Sequence, residues 1–224
     1  VGVDATLIFR GVNVYAPDEQ SFITVPGKGY SLDRRKFGQR LLKIALDAGA
    51  ELYDETCAAK PIVEESWIRG VEVLEKGYRR EFYAKAVVDA SGAIPAIRLK
   101  LPSEWWASEK IPREDYIICY REILKIDGEV NEDYALIYLN SKIAPGGYWW
   151  LFPKGGNVVN VGLGVQWGRD APSPKKLFDE YLRSRFKIVE ILHGGGGIVP
   201  CRRAISCMVW NGFIAVGDAA CTTN

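Results

Sequence analysis

Excess charge is the first thing this sequence lacks. Its 29 lysines and arginines are offset by 28 aspartates and glutamates, for a net charge of +1. That balance gives no electrostatic reason to expect nucleic acid or an anionic surface as a partner. No apolar run reaches about 18 residues, so no spanning helix is expected, and no secretory signal opens the chain. The five cysteines (57, 119, 201, 207 and 221) contain no CxxC pair and no zinc spacing. They point to free thiols in a reducing, cytoplasmic compartment and exclude a disulfide scaffold or a metal centre of the zinc type. His193 is the only histidine; it precedes four glycines and reads as a turn residue. Those glycines, Gly194 to Gly197, are not a phosphate loop, because no GK[ST] follows, and no GxGxxG occurs anywhere.

Apolar residues make up 48% of the 224-residue chain, with seven Trp, eleven Tyr and eight Phe. This composition excludes a disordered chain and suggests a large apolar pocket. The length suits one large domain or two small ones. Leu7–Tyr15 reads as a strand, followed by a shorter strand at Phe22–Val25 and a turn at Gly27 and Gly29. Asp33 can cap a helix from Arg34 to Ala48, in which Phe37, Leu41, Ile44, Ala45 and Ala48 share a face. Glu51–Cys57 is expected to be a strand of the same sheet. Ile62–Tyr83 reads as a meander with turns at Glu65-Ser66, Gly70 and Gly77, and Val87-Val88 returns as a buried strand. This order is that of a nucleotide-binding α/β layer with an insertion. Residues 95–115 read as irregular. Tyr116–Lys125, Tyr134–Asn140, Gly147–Pro153 and Val158–Trp167 are strand candidates of a second, antiparallel sheet, with a hairpin signal at 154–157. Ser173 and Pro174 open a helix to about Phe186.

Four places could carry chemistry. Val87-Val88-Asp89-Ala90-Ser91-Gly92 and Phe213-Ile214-Ala215-Val216-Gly217-Asp218-Ala219-Ala220 each deliver a carboxylate from a buried strand into a turn of small residues. Such turns let a ligand approach the backbone, and an acid there can hold a ribose hydroxyl; an ordinary strand-end turn is the plainer reading of either alone. Arg34, Arg35 and Lys36 begin a helix against its dipole, which an anionic ligand would offset, unless they are solvated surface charges. In Pro145–Pro153, period two puts Tyr148, Trp150 and Phe152 on one face, as a wall for a flat ring or hydrocarbon or as sheet core. On the next strand Asn160, Gly162 and Gly164 share a face. The two glycines suggest space for a ligand, or a twisted or bulged strand.

These segments resemble the geranylgeranyl reductase family, among the flavoproteins shaped like para-hydroxybenzoate hydroxylase. The likeness rests on GYSLDRRKFGQRLLKIALDAGAE (29–51), VVDASG (87–92), PGGYWWLFP (145–153) and GFIAVGDAA (212–220). The third fits the family's PxxYxWxFP at every specified position. The resemblance implies an α/β (α+β) fold: part of an FAD-binding Rossmann-like layer with a β-meander (1–94 and 210–224), plus an antiparallel-sheet substrate domain (95–209). It implies FAD as cofactor, held by Arg34, Asp89, Gly92, Gly217, Asp218 and Ala219. It implies a prenylated lipid substrate lying against Tyr148, Trp150, Phe152, Gly162 and Gly164, with Tyr148 the candidate proton donor. The implied reaction reduces C=C bonds of geranylgeranyl groups in lipid precursors, with NADPH or ferredoxin as reductant and transient contact with a membrane surface. The rival readings are an aromatic hydroxylase on the same fold, an electron-transfer flavoprotein and an inactive piece of a flavoprotein. Family members begin with GxGxxG, so a chain that opens on Val1 and stops at Asn224 is expected to be part of a longer protein.

Overall fold

The computed structural model describes residues 4–168 and 172–223; Val1 and Asn224, named above, lie outside them. Along the chain come β1 (Ala5–Tyr15), β2 (Phe22–Leu32), α1 (Arg34–Asp47), β3 (Thr56–Glu64), β4 (Trp67–Glu75), β5 (Tyr78–Tyr83) and β6 (Val87–Asp89). Then follow β7 (Tyr116–Ile126), β8 (Tyr134–Tyr138), β9 (Trp149–Gly155), β10 (Val158–Gln166), α2 (Pro174–Leu177), β11 (Ile188–Pro200), β12 (Val209–Trp210) and β13 (Phe213–Ala215). The fold is mixed α/β. The chain forms two compact units, Val1–Ala50 with Ile117–Ile198 and Glu51–Tyr116 with Val199–Asn224.

The first unit is built on a seven-stranded sheet in the order β11-β7-β10-β9-β8-β1-β2. One face of β10 is core: Val159, Val161 and Leu163 are fully buried and pack with Leu177, Phe178 and Leu182. Each such side chain contributes about 1.5–3 kcal/mol by leaving water. The helix that covers this face starts where expected, with Ser173 Oγ accepting from the Lys176 amide at 3.3 Å. It does not run on regularly to Phe186. One α turn passes into a π turn at Phe178–Leu182 and a 3-10 turn at Arg183–Arg185.

The expectation that β1 and Glu51–Cys57 share a nucleotide-binding layer is corrected. β1 pairs with β2 antiparallel and with β8 in parallel, while residues 51–53 are not strand and β3 belongs to the other unit. A row of rings accounts for the partner of β1: Tyr15 stacks on Tyr138 at 4.5 Å, and Tyr138 on Trp149 at 3.7 Å. Nor does β2 stop before Gly27. It continues to Leu32 as an edge strand, where Pro26 forfeits no central ladder bond, with a register shift between Phe9 and Gly11. His193, expected in a turn, and Gly194–Gly197 lie inside the long edge strand β11. Asp33 caps α1 as expected, its Oδ1 accepting from the Arg35 and Lys36 amides at 3.1 Å. The apolar stripe of α1 is nevertheless uncovered: none of its residues is buried, and Ile44 is 54% exposed.

The second unit holds the meander β3-β4-β5 and a small sheet in the order β12-β13-β6. Gly70 is not a turn. It sits inside β4 opposite Tyr83. The turns fall at Glu65-Ser66 and Lys76-Gly77, all with positive φ. The core gathers Ile68, Ile97, Trp105, Phe213 and Ala220.

Candidate functional site

Functional candidates fall in both units. In the second, the two acidic motifs prove to be neighbours. β13 and β6 pair in parallel, Phe213 opposite Val87 and Ala215 opposite Asp89, and the Val216 amide donates to the Asp89 carbonyl at 3.1 Å. The turns at 89–92 and 216–220 therefore leave the carboxyl ends of adjacent parallel strands, the side on which α/β sheets bind ligands. Gly92 and Gly217 have φ of +90° and +59°, and a side chain at either would meet nothing within 4 Å. Their backbone is left-handed and open, so a bulky ligand can lie against it.

The carboxylates divide the work. Asp89 is buried, and all its bonds are to its own loop. Oδ1 accepts from the Ser91 amide (3.1 Å) and hydroxyl (2.5 Å), and Oδ2 from the amides of Ile97 (2.9 Å) and Arg98 (2.7 Å). Burial alone would raise its pKa; these donors outweigh it and hold the carboxyl below its usual range. Asp89 thus caps the strand end and shapes the Gly92 loop. Asp218 is half-buried at the turn, one oxygen accepting from the Thr223 hydroxyl at 2.5 Å. The side chain of Ala219 is fully buried, so its small size serves packing beneath the turn.

Arg98 is a residue that sequence reasoning misses. It is fully buried; its Nη1 donates to the Glu109 carbonyl, and Nε and Nη2 have no hydrogen-bond partner. Charged donors left over in this way suit an anionic group, and with the open glycine backbone they fit a phosphate-bearing dinucleotide. The signal available was its place nine residues after Asp89, in a stretch expected to be irregular. That stretch also frames a cavity of about 680 Å³ lined by Trp105, Trp106, Leu99, Glu109 and Lys110.

In the first unit β9 presents the aromatic row as period two requires. Tyr148 and Trp150 meet edge-on at 5.9 Å, and Trp150 and Phe152 stack at 6.0 Å. Trp149 turns to the opposite face, where it is buried and donates to Glu19 Oε1 at 3.0 Å. Tyr148 is 42% exposed. Trp150 Nε1 reaches Asn160 Oδ1 at 3.3 Å. The glycines of β10 do not leave a void, and the expectation of space above them is corrected. A Cβ on Gly162 would lie 2.4 Å from the Trp150 ring and 2.6 Å from Arg121 Cβ, and one on Gly164 2.7 Å from Ile117 Cγ2. The neighbours' own side chains fill the place, and the glycines let them lie flat on the sheet.

Basic groups border this row. Lys154, two residues beyond Phe152, donates to the Leu32 carbonyl at 3.0 Å. Burial pushes its pKa down; Asp33 opposes that, and the charges of Arg121 and Arg34 add to the lowering. Arg121 Nη1 bonds His193 Nδ1 at 2.8 Å. Arg34, expected at the cofactor, is the first residue of α1. It lies in the first compact unit, whereas Asp89, Gly92, Gly217 and Asp218 lie in the second.

Residues 115–199 match the profile described as the geranylgeranyl reductase catalytic domain. The digeranylgeranylglycerophospholipid reductase of Sulfolobus acidocaldarius is 40% identical over 221 residues, 96% of this chain and 49% of its own length. The chain thus spans about half the length of that curated relative. Among solved structures, a geranylgeranyl bacteriochlorophyll reductase-like protein from Thermoplasma acidophilum superposes with a TM-score of 0.85 at 25% identity, covering 99% of this chain and 57% of its own. The myxobacterial chondrochloren halogenase, a variant of the FAD-dependent halogenases, shares the fold with a TM-score of 0.72 at 18% identity, covering 97% and 54%.

Proposed function

Because the chain belongs to the geranylgeranyl reductase family, we propose that the protein is an FAD-dependent oxidoreductase that saturates prenyl double bonds in geranylgeranylated lipid precursors. The observation that carries this reading is the aromatic row. Trp150 and Phe152 on one face of β9, with Tyr148 just before the strand, lie within the segment 115–199 that matches the family's catalytic domain. Apolar burial of a hydrocarbon chain there contributes about 0.8 kcal/mol per CH₂, and the row keeps water from the alkene. Tyr148 is the candidate to deliver a proton to the alkene carbon.

FAD, when bound, supplies the redox chemistry. The open backbone at Gly92 and Gly217 would lie against it, Asp218 would accept from a ribose or ribityl hydroxyl, and Asp89 would hold the Gly92 loop in shape. On this reading 1–94 and 210–224, with Arg98, serve the cofactor and the rest of 95–209 the prenyl chain. No helix among the described residues is long and apolar enough to cross a membrane. A lipid substrate would be met at a membrane surface, with NADPH or ferredoxin as the source of electrons.

The test uses the full-length protein with FAD, chemically reduced and given a digeranylgeranyl glycerophospholipid. Mass spectrometry is expected to show the lipid gaining H₂ stepwise. An unaltered lipid, together with oxygen uptake stimulated by a phenolic compound, would replace this reading with the hydroxylase one.

A further inference from the structure

Arg121, His193 and Lys154 lie beside the aromatic row, and the first two bond each other. Guanidinium donates only, so His193 Nδ1 must accept from Arg121. With Nδ1 accepting, Nε2 is the ring nitrogen left to donate outward. Among the described residues no carboxylate forms an ion pair with Arg121; its charge meets His193 instead. Arg121 is also tied to the wall itself: its Cβ and the Trp150 ring both lie over Gly162, the residue paired with each of them. The nearby acid Asp33 is occupied in capping α1. Lys154 feels the charges of both Arg121 and Arg34. An apolar row flanked at Trp150 by Arg121 and followed along the strand by Lys154 fits a long hydrocarbon with an anionic head.

We propose that Arg121 and His193 bind the phosphate of the prenylated lipid, fixing the polar end of the chain whose hydrocarbon lies along Tyr148, Trp150 and Phe152. The proposal rests on the prenyl-lipid reading above and deepens it. Arg121 supplies a planar fork of charged donors and His193 Nε2–H a further one, and charge-assisted bonds of this kind are the strong ones. The pair makes phosphate a determinant of substrate choice: a prenyl alcohol fills the same wall and leaves these donors unsatisfied.

The experiment compares geranylgeranyl phosphate with geranylgeraniol on the full-length, FAD-loaded protein, reading binding by tryptophan fluorescence and turnover by mass spectrometry. Wild type is expected to bind the phosphate in preference to the alcohol. Arg121→Ala should cut that preference about tenfold or more, acting on KM rather than kcat, and Arg121→Lys should restore part of it. His193→Ala should cut it by less. Equal losses on both ligands from Arg121→Ala would assign Arg121 to packing over Gly162 and overturn the proposal. Loss of flavin from the variant would assign the charge to the cofactor's pyrophosphate and overturn it too. Phosphate-selective binding without any reduction would sink the reductase reading alone, since binding is scored separately.

Discussion

Asp89 shows how one carboxylate can look like a ligand and act as a scaffold. Four donors from its own loop converge on it, so Asp89→Asn would turn an NH₂ group towards backbone N–H donors. The expected cost is about 1–3 kcal/mol of stability, measured by denaturant unfolding. Its pH dependence follows from the lowered pKa. The folded carboxyl ionises below its unfolded value, so the stabilisation is present above about pH 4 and is lost as pH falls through the folded pKa. Wild type should therefore lose more stability than Asp89→Asn between pH 5 and pH 2 (roughly, the window of such a carboxylate); parallel curves would show that the loop does not depend on the ionised form. At Gly162 the argument is steric. A methyl group there would press on the Trp150 ring, Arg121 Cβ and the Tyr120 carbonyl. Gly162→Ala should cost about 1–3 kcal/mol by overpacking and shift the tryptophan emission. No change in either would mean that the ring is free to swing away.

Elements are legible where a local rule has no tertiary competitor. The Asp33 cap and the Ser173-Pro174 start follow from the sequence because capping is settled within a few residues. Period two places β7, β8, β9 and β10 to within a few residues. The failures share a cause. Pro26, Gly27 and Gly194–Gly197 look like chain breakers, yet β2 and β11 are the two edges of the sheet, where missing donors and bare backbone cost least. The partner of β1 is not legible at all, since parallel pairing with β8 joins residues more than a hundred positions apart. α1 offers a clean test of local energetics because none of its residues is buried. Gly38 lies in its interior, and a methyl group there would meet nothing within 4 Å. Gly38→Ala should add about 0.5–1 kcal/mol of stability, visible as a higher unfolding midpoint. A destabilised variant would mean that the stripe of α1 is covered in solution.

At the scale of the whole molecule, the candidate site is half legible. Two acidic turns and an aromatic strand can be named from their motifs. That the two turns adjoin depends on one parallel pair, β13 with β6, drawn from residues 87–89 and 213–215, which no local pattern specifies. Lys154 and Arg121 carry no signal in the sequence, and Arg98 only its place after Asp89, because isolated basic residues are usually solvated and what distinguishes these is their surroundings. The adjoining strand ends carry a last prediction. If they hold FAD, the groups that face the ligand must matter more than those that shape the turn. Asp218→Asn keeps the size of the side chain and its bond with Thr223 while removing the charge that would attract a flavin or ribose hydroxyl. In the full-length protein it should weaken FAD binding about tenfold, read by flavin fluorescence on titration, without lowering the unfolding midpoint. Gly217→Val forces a branched side chain into a left-handed backbone and should abolish FAD retention as well as costing stability. If Asp218→Asn binds FAD as tightly as wild type while Gly217→Val loses it, the turn matters for its backbone alone. If neither changes the affinity, the parallel pair is a structural joint and the cofactor lies elsewhere.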